Sequence, residues 1–490
     1  MQHSKYINNI SEIAEYSKEN SILLSTCSRI FQTFNLWGIN RMLNSVKERG
    51  ISSVTLFQTL LVFPFLNIDN VYNLFLSGIE KEVVGSKNAY YRFLQNEWVP
   101  WRKILYAFAR QFLLRNHERS QSNDGETQCL IVDDSTLPKA GKKIEQMGKV
   151  YDHCTGRYLL GYKGLFVGHW DGKSLIPTDF SLHQEPGNDG MCGLNSKQLD
   201  TQSSYERSEN SPAFQRISET TQSKIEQSIR MIKRSISKGF TCEYVLADSW
   251  FMCEKFISEI YHLNGRLKSG PHILGAFKTN RKIKINQRKH MLHNLSDTLH
   301  SAQRHCKSFK CQYIPIKGTY KGIELKIFLV RMRGSDTWKS IATTNTSLSF
   351  TKAMRIYAIR WSIEVFFKDA KQHLNLGKSQ SQNFNAQIAA TTLCCLQYIA
   401  LAFAKRHEAY ETIGGMFERY KEQFLQDHIM EQIWNLINTI YIEIFADFGI
   451  HFDTFIYKIL DSEKARTHMK KISLLTASTK IKNQSLKLNI

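Results

Sequence analysis

The sequence predicts a mixed α/β chain in which a strand-rich centre is flanked by helical regions at both ends. Three observations predict it. Apolar residues recur at helical spacing through 51–66 and 101–114; strand-forming runs separated by turn residues begin after 127; and helical periodicity resumes at about 350 and continues to about 460. With 490 residues the chain exceeds the ~250 to 300 at which one core stops growing, so two or three structural units are expected. A composition of 42% hydrophobic and 12% aromatic residues suits a globular protein, and no repeat of solenoid length is visible.

In order along the chain, residues 1–120 read as a helical domain, and the polar run NHERSQSNDGE over 116–126 reads as a linker. A short apolar strand follows at 129–132, then two strands rich in β-formers at 158–170 and 174–182, with Gly172 as the turn between them. The polar, Gly- and Ser-rich stretch 184–211 reads as a mobile loop. A helix over 214–238 ends at Gly239, and a buried strand over 244–247 stops at Asp248. A core is thus expected over 127–265 and again over 346–400. Between them, 266–345 reads as a β-rich insertion with strands at 273–277, 312–316 and 323–330, and 401–490 reads as a helical region ending in a basic tail after Asp461.

Lys and Arg number 65 against 44 Asp and Glu, giving a formal charge of +21 and a pI of about 9.4. Such a balance favours a polyanionic partner, with nucleic acid first; a basic but otherwise ordinary enzyme is the bland alternative. The span 266–333 holds 16 Lys or Arg against two acidic residues, Asp297 and Glu324, a local charge of +14 that gives the insertion a basic face. Met1 to Tyr6 has no apolar core of signal-peptide type, and apolar stretches such as 393–404 fall short of the ~18 to 20 residues that span a bilayer. A cytoplasmic chain with no membrane partner is expected. Ten cysteines at irregular spacing, without a CxxC pair, read as free and mostly buried thiols rather than a zinc site.

Three carboxylates stand at informative places: Asp134 after a strand (IVDDST), Asp248 at the end of another (YVLADSW) and Glu364 on a helix (RWSIEVFF). Hard oxygen ligands converging from separate elements suit Mg²⁺ or Mn²⁺, and two such ions ~3.5 to 4 Å apart can cleave a phosphodiester. Taken singly, an Asp at a strand end is more often a turn residue. Asp133 is an open alternative to Asp134, because neighbours on a strand face opposite ways and only one of them can face the metals. At ~100° per residue, Arg360, Glu364 and Lys371 fall about 300°, 340° and 320° from Tyr357, one stripe of about 60° beside an apolar face of Ile363, Phe366, Ala370 and Leu374. Charged i,i+4 pairs on a solvated helix would also account for Arg360 and Glu364.

The pattern Tyr357-x2-Arg360-x3-Glu364-x6-Lys371 resembles the Tyr-Arg-Glu-Lys signature of the insertion sequence four family of DDE transposases. IVDDSTL and VLADSWF are similar to the regions of that family's first and second aspartates; the first is typically followed by Thr or Ser, which favours Asp134. The resemblance covers about 127–400 and implies an RNase H-like core interrupted between the second aspartate and the glutamate, where 116 residues separate Asp248 from Glu364. It implies Asp134, Asp248 and Glu364 as ligands of two divalent ions, Mg²⁺ or Mn²⁺. Tyr357, Arg360, Lys371 and the neighbouring Lys368 would contact the DNA backbone. Trp338 takes a place similar to that of an aromatic that stacks on a flipped base, with a Trp half-buried against the sheet as the alternative.

The implied activity is cut-and-paste transposition: water releases a 3′-OH, which then attacks a second phosphodiester. The implied partners are double-stranded DNA, as transposon ends and target, and a second copy of the chain in a synaptic homodimer, with the N-terminal domain a candidate for end binding and the C-terminal region for dimerisation. A metal-dependent nuclease or resolvase on the same core, or a non-catalytic DNA-binding protein, are the alternatives; an RNA-binding protein is disfavoured by the lack of RRM- or KH-like sequence.

Overall fold

The computed structural model describes residues 34–76 except 35, 48 and 67, together with 84–119, 127–185, 194–266, 270–407, 415, 417 and 418. The chain divides into two compact units, Met1–Lys421 and Glu422–Ile490, and all described residues belong to the first. The expectations for residues 1–33, for 120–126 of the linker, for 186–193 of the polar loop, and for the helical continuation and basic tail after 418 lie outside the described residues; the first four residues of the expected linker, 116–119, are instead the end of the helix Trp101–Arg119.

Strands β1 (Cys129–Pro138), β3 (Arg157–Trp170) and β4 (Leu175–His183) are antiparallel neighbours in the order β1-β3-β4, with β2 (Gly148–Asp152) also paired to β3. On its other side β1 is parallel to β5 (Tyr244–Ala247), which is parallel to β6 (His272–Ala276). Three antiparallel strands continued by two parallel ones form the mixed sheet of the expected RNase H-like core. Buried on both faces, the runs at 129–132 and 244–247 are continuously apolar rather than alternating.

The basic insertion continues the same sheet. Strand β12 (Lys339–Thr343) pairs antiparallel with β6, and β11 (Ile323–Met332), β10 (Cys311–Tyr320), β7 (Lys282–Ile285) and β8 (Arg288–Met291) follow, with β9 (Arg304–Cys306) on β10. The described strands thus make one 12-stranded sheet.

Helices α1 (Trp37–Asn44), α2 (Ser53–Val62), α3 (Lys87–Gln95) and α4 (Trp101–Arg119) form the N-terminal part. The helix expected over 214–238 is two, Pro212–Ser218 and α5 (Lys224–Ser237), and Gly239 ends the second at φ +91, where a side chain would be strained. After α6 (Glu254–Arg266), the expected single signature helix is also two, α7 (Phe350–Ala358) and α8 (Trp361–His373). At the joint Arg360 N bonds Tyr357 O and Ile363 N bonds Arg360 O, two successive tight 3₁₀-like turns that meet at Arg360. Helix α8 packs on β1 and β4, α5 on β3 and β4, and α4 and the last helix, α9 (Phe384–His407), on each other and on β4. Phe166 on β3 joins these layers, 5.5 Å from Phe366 and 5.7 Å from Phe180 between ring centroids.

Two expectations are corrected here. Residues 194–211 are anchored rather than mobile: Arg207 grips Glu145 through two nitrogens at 2.6 and 2.7 Å and Asn385 at 2.9 Å, and Ser208 N bonds Glu97 at 2.9 Å. The segment Phe384–Arg406 is long and apolar enough by composition to cross a membrane, unlike the shorter stretches read from the sequence; 94% of its apolar window is buried among the helices and sheet, as befits a core helix. The eight described cysteines are free, and six of them are buried.

Candidate active site

The parallel register of β1 and β5 sets Val132 opposite Ala247, so the next residues, Asp133 and Asp248, stand side by side where β5 ends. Opposed residues of a parallel pair project to one face, and the carboxyl ends of such strands open into clefts. Burial pushes the Asp133 carboxyl up to about 7, and the negative charge of Asp248 adds to the rise. Asp248 Oδ1 accepts from Trp250 N at 2.8 Å and Phe251 N at 3.3 Å, so the residue also serves as the turn cap anticipated for a lone strand-end Asp. Gly275 lies against this corner, where a Cβ would come within 2.7 Å of Ala247 O and of Met252 Sδ.

Above the pair, Arg360 donates from Nη1 to Asp133 Oδ2 at 3.2 Å and from Nη2 to Glu364 Oε1. Burial opposes its charge, but Tyr357, Glu364 and Asp133 outweigh that and hold the guanidinium above its ordinary pKa. Tyr357, from the last turn of α7, lies with its ring 5.7 Å from the Arg360 guanidinium, and burial raises its phenol. The structure therefore brings together Asp248, Glu364, Tyr357 and Arg360 of the residues singled out from the sequence, and, of the two adjacent aspartates left open there, Asp133.

Asp134 is the correction. One residue further along β1 it faces the other side of the sheet, where Lys224 Nζ at the start of α5 bonds its Oδ2 at 2.6 Å and Lys163 Nζ stands 3.8 Å from its Oδ1. The alternation of side chains along a strand, rather than the Ser and Thr that follow, decides which aspartate meets Asp248 and Glu364.

Lys371 sits two turns beyond Glu364; burial lowers its pKa, and Asp152 and Lys163 are among its charged neighbours. Lys368 is exposed. Trp338 precedes β12 and is half-buried, with the Arg331 guanidinium 4.8 Å from its ring centre. Because Ile341 pairs with Ala276, Trp338 lies at the same end of the sheet as Asp248, two strands across (~10 Å) and about three residues (~10 Å) further along. Two groups escaped the sequence reading. Lys224 holds Asp134, and Trp250, 43% exposed, lies with its ring 4.5 Å from Lys224 Nζ. The exposed aromatic two residues after Asp248 was the available signal.

Among the described residues, no group of three or more His, Cys, Asp or Glu is arranged to hold a metal ion. The donor chemistry nonetheless fits one: Asp133, Asp248 and Glu364 are all-oxygen donors, and the Arg360 guanidinium between Asp133 and Glu364 marks where positive charge is stabilised.

Residues 70–269 match the family model described as DDE superfamily endonuclease, and residues 220–400 match the one described as Transposase DDE domain. No curated protein matches the chain. Among solved structures, one titled "Drosophila P element transposase strand transfer complex" is 10% identical with a TM-score of 0.22, over 56% of this chain and 55% of that one; this chain thus spans about half of that chain's length, and the likeness is too slight to carry an argument. Nucleases of the DDE superfamily generally use divalent metal ions. The two overlapping matches, each over less than half of the chain, are both to DDE-type models, and with the paired aspartates at adjacent strand ends they make the chain similar to nucleases of that type.

Proposed function

We propose that the chain is a cut-and-paste transposase of the insertion sequence four type, releasing a 3′-OH at transposon ends and joining it to target DNA. The observation that carries this reading is Asp133 beside Asp248 at adjacent strand ends, with Arg360 joining Asp133 to Glu364. The Tyr357, Arg360, Glu364 and Lys371 spacing supports it, as does the +14 charge of 266–333 for duplex DNA as partner.

Asp133, Asp248 and Glu364 would hold the divalent ions, Mg²⁺ or Mn²⁺ and two per site. When bound, such ions lower the pKa of water and stabilise the leaving oxygen of a phosphodiester. The chain's own groups do the remaining work. Arg360 bonds Asp133 and Glu364, and its fork would offer the same donors to a backbone phosphate. Tyr357 can donate one hydrogen bond to a phosphate oxygen, and Lys368 and Lys371 add point charges along the strand. Trp338 is a stacking platform for an unpaired base at the same end of the sheet. Synapsis of two ends implies a homodimer.

The test uses a duplex carrying the DNA that flanks the coding region, with Mg²⁺. Glu364→Gln and Asp133→Asn each abolish cleavage while end binding persists, and Asp134→Asn cleaves; an active Glu364→Gln or Asp133→Asn refutes the site. A metal contribution of several kcal/mol corresponds to a loss of about 1,000-fold or more. Cleavage without joining to target DNA would instead favour a nuclease or resolvase.

A further inference from the structure

A cavity of about 610 Å³ lies between α4, the Pro212–Ser218 helix and the C-terminal end of α5. Six cationic side chains line it, Arg102, Lys103, Arg110, Arg216, Arg234 and Lys238, and no acidic side chain is among the described residues that do. It is separate from the carboxylate site. Lys224 meets Asp134 at the start of α5, whereas Arg234 is ten residues on, ~15 Å along the helix.

Behind the cavity wall, two carboxylates answer three arginines. Asp179 is fully buried and accepts from Arg102 Nε at 2.9 Å, from the Tyr106 hydroxyl at 3.0 Å and from Arg234. Burial works against its charge, but Arg102, Arg234 and Arg216 hold its pKa below the ordinary carboxylate value. Glu219 accepts from Arg102 Nη2 at 2.8 Å. Arg216 lies with its guanidinium 4.4 Å from the Phe180 ring centre and is the one of the three that hydrogen-bonds neither carboxylate. It is 5% exposed, its nearest carboxylate oxygens are at 3.7 and 3.8 Å, and its Nε and Nη2 have no hydrogen-bond partner. Burial and the like charge of Arg102 pull its pKa down to about 10. A buried guanidinium with two unbonded donors, in the wall of a cavity rimmed by further cations, is a place where an oxyanion completes the hydrogen bonding.

We propose that this cavity binds a phosphate-bearing small molecule, whose phosphate is taken by Arg216 and the rim cations Arg110 and Lys238. Its volume lies in the ~300 to 1,000 Å³ range of small-ligand sites. Arg216 sits too deep for the backbone of a duplex, and Val99 and Ile388 give the ligand's carbon skeleton an apolar wall. The inference is independent of the transposase reading, since none of these side chains belongs to the carboxylate site.

The probe is inorganic pyrophosphate, titrated calorimetrically into the full chain in EDTA at constant ionic strength. Saturable one-site binding is expected in the wild type. The double variant Arg110→Ala with Lys238→Ala changes only exposed rim positions and should weaken it at least tenfold, and Arg216→Met should abolish it with the circular dichroism spectrum retained. Duplex DNA binding by the rim variant should be unchanged. Equal pyrophosphate affinity in the wild type and the rim variant overturns the proposal. So does a rim variant that loses duplex binding but keeps pyrophosphate, which would assign these cations to nucleic acid.

Discussion

Asp133→Asn removes a carboxyl that the fold holds partly protonated near neutrality, and the consequence for stability has a definite sign. The folded-state pKa rises from 3.8 to about 7, chiefly by burial and next by the charge of Asp248. Roughly three units at ~1.4 kcal/mol each set an upper bound of about 4 kcal/mol. Because the folded state binds the proton more tightly than the unfolded chain, the stability linked to it is fully present below pH 3.8 and is lost as pH rises through about 7. Asn carries no such proton. The stability of Asp133→Asn relative to wild type should therefore climb by up to about 3 kcal/mol between pH 5 and pH 8.5, since about two of the three units fall in that window. The lost bond from Arg360 Nη1 at 3.2 Å offsets this gain. Urea unfolding of both proteins in EDTA measures the difference. A gap that stays constant between the two pH values, or widens toward acid, refutes the placement of Asp133 in a buried site beside Asp248.

Lys368→Ala and Lys371→Ala should each weaken end binding and lower the slope of log affinity against log salt by about one unit, measured by fluorescence anisotropy; unchanged slopes would leave both lysines on a solvated face. Asp179→Asn leaves Arg102, Arg216 and Arg234 short of a buried counter-charge and should cost about 3 to 5 kcal/mol in urea unfolding, while a cost under about 1 kcal/mol would mean that the arginines rearrange freely. Lys139, whose Nζ bonds Gly377 O at 2.6 Å and Ser379 O at 2.7 Å, has its pKa lowered by burial to about 7. Its folded form sheds the proton, so wild-type stability is lost as pH falls through about 7; Lys139→Met should gain most on the wild type at pH 6 and least near pH 10, and the opposite trend in thermal melts would contradict the burial.

How much of this was legible in the sequence depended on whether a signal was local. The strand at 244–247 is found residue for residue, because a buried parallel strand is a continuous apolar run with a sharp end. Strands β7 and β8 read KIKI and RKHM; Ile283 is the one fully buried residue in them, so no apolar pattern announces them. The angular count on the signature helix assumed one unbroken helix, which the tight turns at Arg360 interrupt. Tyr357, Arg360 and Glu364 still meet, because Ile359 (φ −59, ψ −29) and Arg360 (φ −52, ψ −33) keep helical dihedrals through the joint.

The choice between Asp133 and Asp134 was of another kind. Which face a strand residue takes is a matter of parity, and parity acquires meaning only from the neighbouring strand, here through Val132 opposite Ala247. A Ser or Thr after the aspartate carries no information about that neighbour. One clue was present all the same: CLIVD and YVLAD each place an Asp after four buried residues, and in-register parallel pairing of two such runs brings Asp133, not Asp134, beside Asp248. If that shared layout is what builds the site, inserting one Ala after Val132 should abolish cleavage by displacing Asp133 from the partner of Asp248. Loss of activity there with the core still folded, together with cleavage by Asp134→Asn, would tie catalysis to register rather than to the presence of two adjacent carboxylates.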